Sequence, residues 1–311
     1  MMKRFKNILV VLDAQNISKD NEALKRAIIL AKENDAALTI LHVFDEPQSL
    51  LERYEDFMSP AELAELIKGR KTAALEELVT PLRETVFRIG ARVVSGKGFI
   101  EIINQVLRYN YDIVLKVATW RGDSFDSNDL HLMRKCPCPV WLIRNPIKSK
   151  AVLAAIDLSL EKTVDGQAMN KLIIDLAISL VKWDDTQLYI LSCWTLYGEE
   201  SLRNSGFLKV SKSRLNDILV AEHRENLTLQ KRISQQYGLD DEQLVLVKGV
   251  AEDVIPDFVR DKHISTVVMG TVGRTGIQGL IIGNTAETVL RSIDSSVIAV
   301  KPDSFVSPVK S

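Results

Sequence analysis

Five short apolar segments recur twice along the chain, each separated from the next by amphipathic or charged stretches. In the first half they span residues 5–13, 37–43, 91–95, 113–117 and 140–143. In the second half they span residues 150–157, 187–193, 243–247, 266–269 and 297–300. Segments this uniformly apolar are typical of strands in a parallel sheet that is covered on both faces. The pattern therefore predicts two copies of one strand–helix unit.

The stretches between the strands show helical periodicity. Apolar residues recur every three or four positions after each first strand: Leu24, Ala27, Ile28 and Ala31 in one copy, and Leu172, Ile173, Leu176 and Leu180 in the other. Ser59, Pro60 and Glu62 form a capping box, and we expect Pro81 to kink or restart the helix that follows. Alternating strands and helices predict an α/β fold with two doubly wound units, each a five-stranded parallel sheet with helices on both faces. We place the domains at residues 1–147 and 148–311.

Composition narrows the choice of partners and compartment. The 311 residues are 46% hydrophobic, and 40 basic against 41 acidic residues give a net charge of −1. A charge this balanced gives no general attraction to nucleic acid or to a membrane surface. The start of the chain lacks a secretory apolar region, and no apolar run reaches transmembrane length. Three cysteines do not make a disulfide framework. We therefore expect a cytoplasmic protein without direct nucleic-acid or membrane partners.

A glycine-rich stretch follows the fourth strand of the second copy. Residues 267–287 read VVMGTVGRTGIQGLIIGNTAE, with Gly270, Gly273 and Gly283 separated by two and nine residues. Glycines let backbone N–H groups approach a ligand, and the helix that we expect to start at Asn284 and Thr285 adds unpaired N–H groups. The stretch predicts a phosphate cradle; the alternative is a surface loop that merely tolerates glycine.

Ligands of open doubly wound sheets bind beyond the carboxyl ends of the strands, where the strand order reverses. Asp157 ends the first strand of the second copy, and Ser192 and Cys193 end the second strand. The glycine stretch begins after Met269, at the end of the fourth strand. We expect all of these residues to meet at one edge of the sheet.

The spacing from Gly270 through Gly273 to Gly283 resembles the nucleotide-binding loop of the universal stress protein family, and the likeness extends over the whole chain as two copies. The TVGRTG and GNTAE segments look most like the tandem E type of that family. The resemblance implies a flavodoxin-like unit, akin to the adenine nucleotide alpha hydrolases, and ATP, with or without Mg²⁺, in the second half. Many members carry serine or threonine where this chain has Asn284, whose amide can still cap the helix and contact phosphate. The implied binding residues are Asp157, Ser192, Cys193, Met269, Gly270, Gly273, Gly283, Asn284 and Thr285.

The equivalent loop of the first copy is shorter, with one glycine at residues 117–124. It cannot form the same cradle, so we expect one ATP per chain. Val117 and Asp126 replace the first and last glycine, and the capped helix start is expected to be lost at Ser127. Either this half serves assembly, or it binds another ligand through Asp13, Arg121 and Ser124. Lys116 lies on a buried strand, where it either pairs with Asp13 or marks an altered site.

Other reactive residue types give weaker signals. Cys136 and Cys138 could form a metal or redox pair, but no second cluster accompanies them, and a turn before a buried strand is the simpler interpretation. His42, His131, His223 and His263 are scattered without the spacing of a catalytic triad. The fifth strands, residues 140–143 and 297–300, would expose their edges unless they met, so we expect an internal pseudo-dimer through them; a homodimer is a further alternative.

Three functions fit these observations. The first is a universal stress protein that binds ATP and supports resistance to stress, which for the E type the resemblance extends to DNA-damaging agents. The second is a slow ATP hydrolase, for which Asp157 is the one candidate base or metal ligand. The third is a binding module for another small molecule, such as a nucleotide sugar or a lipid precursor.

Overall fold

The computed structural model describes residues 4–14, 17–44, 58–121, 124–144, 151–204, 211–271 and 283–310. These residues form two compact units. The first comprises residues 4–144 together with 296–310, and the second comprises residues 151–271 together with 283–295. The last strand thus groups with the first unit, whereas the sequence places it in the second domain; the boundary between residues 147 and 148 stays a prediction.

The first unit is built from alternating strands and helices. Its strands are β1 (Asn7–Val11), β2 (Ala37–Phe44), β3 (Ile89–Ser95), β4 (Ile113–Val117), the short β5 (Trp120–Arg121) and β6 (Ser124–Phe125), and β7 (Val140–Ile143). Its helices are α1 (Glu22–Asn34), α2 (Pro60–Val79), α3 (Gly98–Tyr109) and α4 (Ser127–Lys135).

The second unit repeats the alternation. Its strands are β8 (Ala151–Ile156), β9 (Gln187–Trp194), β10 (Leu244–Lys248) and β11 (Thr266–Gly270). Its helices are α5 (Val164–Asp184), α6 (Glu199–Asn204), α7 (Lys212–Tyr237), α8 (Ala251–Asp261) and α9 (Asn284–Ser292). The final strand of the chain, β12 (Ser296–Val300), belongs to the first unit.

In both units, the first strand of the copy lies beside the second and the fourth. The main sheet of the first unit has the order β3-β2-β1-β4-β7-β12, and every pair is parallel except β7 with β12. The strands of the second unit run in the order β10-β9-β8-β11, all parallel. The α/β architecture predicted from the sequence is confirmed, and strand order reverses at β1 in one unit and at β8 in the other.

The central residues of the inner strands are shielded from solvent. Every residue of β7 and β12 is buried, as are the central residues of β1, β4, β8 and β11. Strands without a wet face explain why their sequences do not alternate between apolar and polar positions. Within the described residues, no helix is long and apolar enough to cross a membrane.

Local signals in the sequence act as predicted around α2. The Ser59 side chain accepts from the Glu62 N–H at 3.3 Å, and the Glu62 carboxylate accepts from the Ser59 N–H at 2.8 Å, which completes the capping box. The helix ends at Val79 and is followed by a 3-10 segment over Thr80–Glu84, of which Pro81 is the second residue.

Strand β12 pairs antiparallel with β7. Val297 lies opposite Leu142, Ile298 opposite Trp141, and Ala299 opposite Val140. These are the two strands whose edges the sequence predicts to meet. The pairing fills the β7 edge with backbone hydrogen bonds, whereas the pseudo-dimer of whole halves stays a prediction.

Candidate functional site

The carboxyl ends of β8, β9 and β11 lie side by side in the second unit. Ala155 of β8 pairs with Met269, and Ile156 pairs with Ser192. Asp157, Cys193 and Gly270 are the next residues along the three strands. The structure thus brings together at one edge the strand-end residues that the sequence predicts to converge there.

A buried asparagine fixes the turn that carries Asp157. The Asn170 amide of α5 donates to the Asp157 carbonyl at 2.9 Å and to a Glu161 carboxylate oxygen at 2.7 Å. Asp157 Oδ1 accepts from the Ser159 N–H at 3.0 Å and from its hydroxyl at 2.7 Å. These bonds hold Asp157 at the strand end.

Ser192 and Cys193 place two small polar groups beside Asp157. Ser192 is fully buried, and its hydroxyl has no hydrogen-bond partner among the residues that the structure describes. Burial, with a smaller contribution from the charge of Asp157, raises the pKa of the Cys193 thiol to about 11. Cys193 is therefore a neutral thiol at physiological pH, and the Ser192 hydroxyl retains its full capacity for a hydrogen bond.

The two ends of the glycine loop meet at a backbone hydrogen bond. The Gly283 N–H donates to the Thr271 carbonyl at 3.0 Å. Gly270 lies against α5, because a β-carbon at this position would stand 3.1 Å from the terminal methyl of Met169. Gly273 lies outside the described residues, so its predicted role stays a prediction.

The start of α9 corrects one sequence interpretation. Gly283, and not Asn284, is the N-cap residue, and no side chain caps this helix. Asn284 and Thr285 occupy exposed positions in the first turn. The first N–H groups of α9 are therefore without a side-chain cap, which is the arrangement that favours an anion at a helix N-terminus.

A lysine occupies the corresponding place in the first unit. Lys116 pairs with Val11 in the same register as Met269 pairs with Ala155, and Asp13 corresponds to Asp157. Lys116 Nζ lies 2.9 Å from Asp13 Oδ2 and 3.1 Å from Asp129 Oδ1. The lysine therefore reaches Asp13, as the sequence suggests.

This cluster closes on itself through α4 and the turn after β4. Lys116 Nζ also donates to the Val117 carbonyl at 3.1 Å and the Thr119 hydroxyl at 3.0 Å, and the Thr119 N–H donates to Asp129 Oδ2 at 2.6 Å. Burial by itself lowers the pKa of Lys116, but the charges of Asp129 and Asp13 outweigh it and raise the pKa above its ordinary value. Burial raises the pKa of Asp129, against the effect of Lys116.

The first residues of α4 differ from the prediction. The sequence suggests that this helix loses its cap, yet the Asp126 side chain accepts from the Asn128 N–H at 2.8 Å and is the N-cap. The helix start in the first unit is thus satisfied by a carboxylate of the chain itself. The backbones of Arg121 in β5 and Ser124 in β6 pair with each other, but the structure does not describe the side chains of these two residues.

His42 completes the altered site, and sequence reasoning missed it. His42 follows Leu41 of β2 and therefore corresponds to Ser192. Its Nδ1 lies 2.7 Å from the Leu12 carbonyl and its Nε2 lies 3.0 Å from Lys71 Nζ. Burial lowers the pKa of His42, so the ring is neutral, with Nδ1 donating to the carbonyl and Nε2 accepting from Lys71.

Among the described residues, no group of three or more His, Cys, Asp or Glu side chains is arranged to hold a metal ion. His131, His223 and His263 lie far apart in the sequence, and each sits in a different element or turn. All three cysteines are free thiols.

Comparison with known proteins supports the two-copy organisation of this chain. A sequence model of the universal stress protein family matches residues 4–144 and again residues 162–301. Universal stress protein E of Escherichia coli K12 is 29% identical over 99% of this chain and 98% of its own length. The Haemophilus influenzae homologue of universal stress protein E is 26% identical over 96% of this chain and 98% of its own.

Solved structures share the fold. A functionally unknown protein from Pseudomonas aeruginosa PAO1 aligns with a TM-score of 0.74 at 24% identity, covering 97% of this chain and 94% of that one. A universal stress protein from Archaeoglobus fulgidus aligns with a TM-score of 0.55 at 18% identity, covering 94% and 98%. At these identities the likeness shows the fold.

Proposed function

The chain belongs to the universal stress protein family as a tandem member, and from this premise we propose that its second unit binds ATP. The binding residues in this proposal are Asp157, Ser192, Cys193, Met269, Gly270, Gly273, Gly283, Asn284 and Thr285. Within the proposal, the strand ends contact the nucleoside, and the glycine loop and the uncapped start of α9 contact the phosphates.

One observation carries the proposal: the fully buried Ser192 hydroxyl has no partner among the described residues. A buried hydroxyl without a hydrogen bond costs free energy, so most such groups have a partner in the protein, in ordered water or in a ligand. Ser192 pairs with Ile156, the residue before Asp157, so it lies next to the edge at which ligands of doubly wound sheets bind. The polar edge of an adenine base or a ribose supplies the missing bond.

The contrast between the two units supports a single site. In the first unit the ammonium of Lys116 stands where the second unit has Met269, and two carboxylates flank it. Asp126 caps the helix that would face the phosphates. Two carboxylates against one ammonium, with a third carboxylate at the helix start, disfavour a triphosphate. In the first unit, charged side chains of the chain itself thus occupy the place that corresponds to the proposed ATP site.

The proposed physiological role is taken from the resemblance to the family. We propose a stress factor of the cytoplasm that depends on a nucleotide, and that supports resistance to DNA-damaging agents. Free thiols at all three cysteines are consistent with a reducing compartment. Survival of a deletion strain under such agents, complemented with the wild type or with Asp157→Ala, tests this: equal complementation by both would separate the phenotype from nucleotide binding.

The ligand itself is tested by mass spectrometry of small molecules released from the purified full-length protein. Recovery of ATP or ADP in near-stoichiometric amount supports the proposal. If a nucleotide sugar or a lipid precursor is recovered, that molecule and not ATP is the ligand. The same strand edge would then be its candidate binding site.

The role of Ser192 is tested by calorimetry with ATP. Ser192→Ala should weaken binding about threefold to tenfold, equivalent to roughly 0.7 to 1.4 kcal/mol for one hydrogen bond. Ser295→Ala is the matched control, because this serine is also buried in the second unit but donates to the Ile264 carbonyl. Equal affinities for the two variants would remove Ser192 from the site.

A further inference from the structure

Two thiols and a lysine ammonium share a buried environment in the first unit. The Cys136 and Cys138 sulfur atoms are 3.6 Å apart. Cys136 is fully buried, Cys138 is half-buried, and Lys301 is 4% exposed. The Lys301 ammonium donates to the Met133 carbonyl at the end of α4. This cluster plays no part in the nucleotide site proposed above.

The strand register brings the lysine to the thiols. Ala299 of β12 lies opposite Val140 of β7, so the antiparallel register carries Lys301 to the level of Cys138. Cys136 directly follows α4, and its N–H donates to the Leu132 carbonyl at 2.9 Å. Pro137 and Pro139 restrict the backbone on either side of Cys138. The sulfur pair is therefore held by two strands, a helix end and two prolines.

The charges of the cluster favour one thiolate. Burial alone raises the pKa of Cys136, but the hydrogen bond from Cys138 and the charge of Lys301 outweigh it and lower the pKa below its ordinary value. Donation of that hydrogen bond, followed by burial, raises the pKa of Cys138. Burial lowers the pKa of Lys301 to about 8, although the thiols oppose this. Cys136 is thus the nucleophilic sulfur, and Cys138 keeps its proton.

We propose that Cys136 and Cys138 form an oxidant-sensitive dithiol that hydrogen peroxide converts into a reversible disulfide. The sulfur atoms need to approach by only about 1.5 Å to reach the S–S bond length of about 2.05 Å. Cys136 is fully buried and Cys138 is half-buried, so the oxidant has to approach from the side of Cys138 and has to be as small as hydrogen peroxide. Lys301 is a positioning residue, since its charge stabilises the Cys136 thiolate.

The reaction balances in two steps. The Cys136 thiolate attacks a peroxide oxygen, the O–O bond breaks, and the product is a sulfenic acid and hydroxide, which takes a proton to become water. The Cys138 sulfur then attacks the sulfenic sulfur, the S–S bond forms, the S–O bond breaks, and a second water leaves with the Cys138 proton. Two thiols lose two electrons and two protons, and one hydrogen peroxide becomes two waters.

The test uses the full-length protein treated with hydrogen peroxide, followed by alkylation of remaining thiols in denaturant and tryptic digestion without reductant. Cleavage after Lys135 and Arg144 puts both cysteines in one peptide, and Cys193 falls in another as an internal control. We expect the peptide of residues 136–144 to become two hydrogens lighter and resistant to alkylation while Cys193 is still alkylated. Dithiothreitol should reverse the change.

The proposal is overturned if the 136–144 peptide still carries two alkylated cysteines at peroxide concentrations that oxidise Cys193. It is also overturned if the two sulfurs are oxidised to separate sulfinic acids without a disulfide. Neither outcome depends on nucleotide binding, so this test is independent of the function proposed above.

The positioning role of Lys301 has its own readout. Lys301→Met should slow disulfide formation at neutral pH severalfold, because loss of the ammonium raises the pKa of Cys136 and lowers the thiolate fraction. The midpoint of the rate against pH should move upward. Lys310→Met is the control, since Lys310 is an exposed lysine near the same chain end. Identical rates and midpoints for both variants would refute the role of Lys301.

Discussion

Replacement of Lys116 by methionine probes a buried charge with several polar contacts in the first unit. The change removes four contacts of Nζ, at 2.9 Å to Asp13, 3.1 Å to Asp129, 3.0 Å to Thr119 and 3.1 Å to the Val117 carbonyl. Methionine is also unbranched and is shorter only by the terminal ammonium, so packing changes little. The loss is therefore mainly electrostatic.

The size of the effect follows from the burial of each partner. The Asp129 side chain is 2% exposed and would keep a charge without its ammonium, whereas the Asp13 side chain is 42% exposed and can be solvated. Removal of one member of a buried pair costs about 3 to 5 kcal/mol, and we assign nearly all of it to Asp129. Addition of Asp129→Asn to Lys116→Met should restore part of this loss, because the stranded charge is removed.

Urea unfolding of the full-length variants measures the loss. Lys25→Met is the control, because Lys25 is an exposed lysine that pairs with Glu22 at 3.0 Å and should lose less than about 1 kcal/mol. If Lys116→Met and Lys25→Met lower the free energy of unfolding equally, the charged cluster does not hold the first unit together. A double variant less stable than Lys116→Met alone would also contradict the reasoning.

Three further predictions follow from the sites. Burial lowers the pKa of His42 in the folded protein, so on acidification the imidazole takes up a proton in the unfolded chain first. The free energy of unfolding should therefore fall as the pH drops below about 6.5. Urea titrations at several pH values should show this fall, and it should be smaller in His42→Gln. Asp157→Ala should weaken ATP binding by about 1 to 3 kcal/mol in calorimetry, while Asp13→Ala, its counterpart in the first unit, should leave the affinity unchanged; equal losses would contradict a single site. Gly273→Val should abolish ATP binding with the melting temperature of the free protein unchanged, and retained affinity would leave the loop without its role.

The sequence predicts the architecture because its strands are apolar on both faces. Buried parallel strands read as continuous apolar runs, and their repetition after Asp13 and Asp157 is visible without a structure. The partner of Lys116 was also predictable in part, since a buried charge needs an opposite one. The pairing of Lys116 with Asp129 was not predictable, because Asp129 belongs to α4, which starts ten residues after the end of β4.

The helix starts show where sequence reasoning fails. Asp126 looks like a charge that would repel a phosphate, and the structure uses it to cap α4. Asn284 looks like a cap, but Gly283 occupies that position, and α9 starts without a side-chain cap. The residue that begins a helix is set by the preceding loop, and a one-residue shift exchanges the roles of neighbours.

Gly270 shows how a motif glycine has a packing role as well. Its α-carbon faces Met169 of α5, and a β-carbon there would stand 3.1 Å from the methionine methyl. Gly270→Val would therefore require the end of the Met169 side chain to move, in addition to its effect on any ligand, which the sequence does not reveal.

The most direct test of one nucleotide site per chain is calorimetric titration of the full-length protein with ATP, with and without Mg²⁺. The two units differ at the strand edge, with Lys116 in the first where the second has Met269. We predict a stoichiometry of one ATP per chain. Two equivalent sites per chain, or no binding at any ATP concentration in the titration, would contradict it.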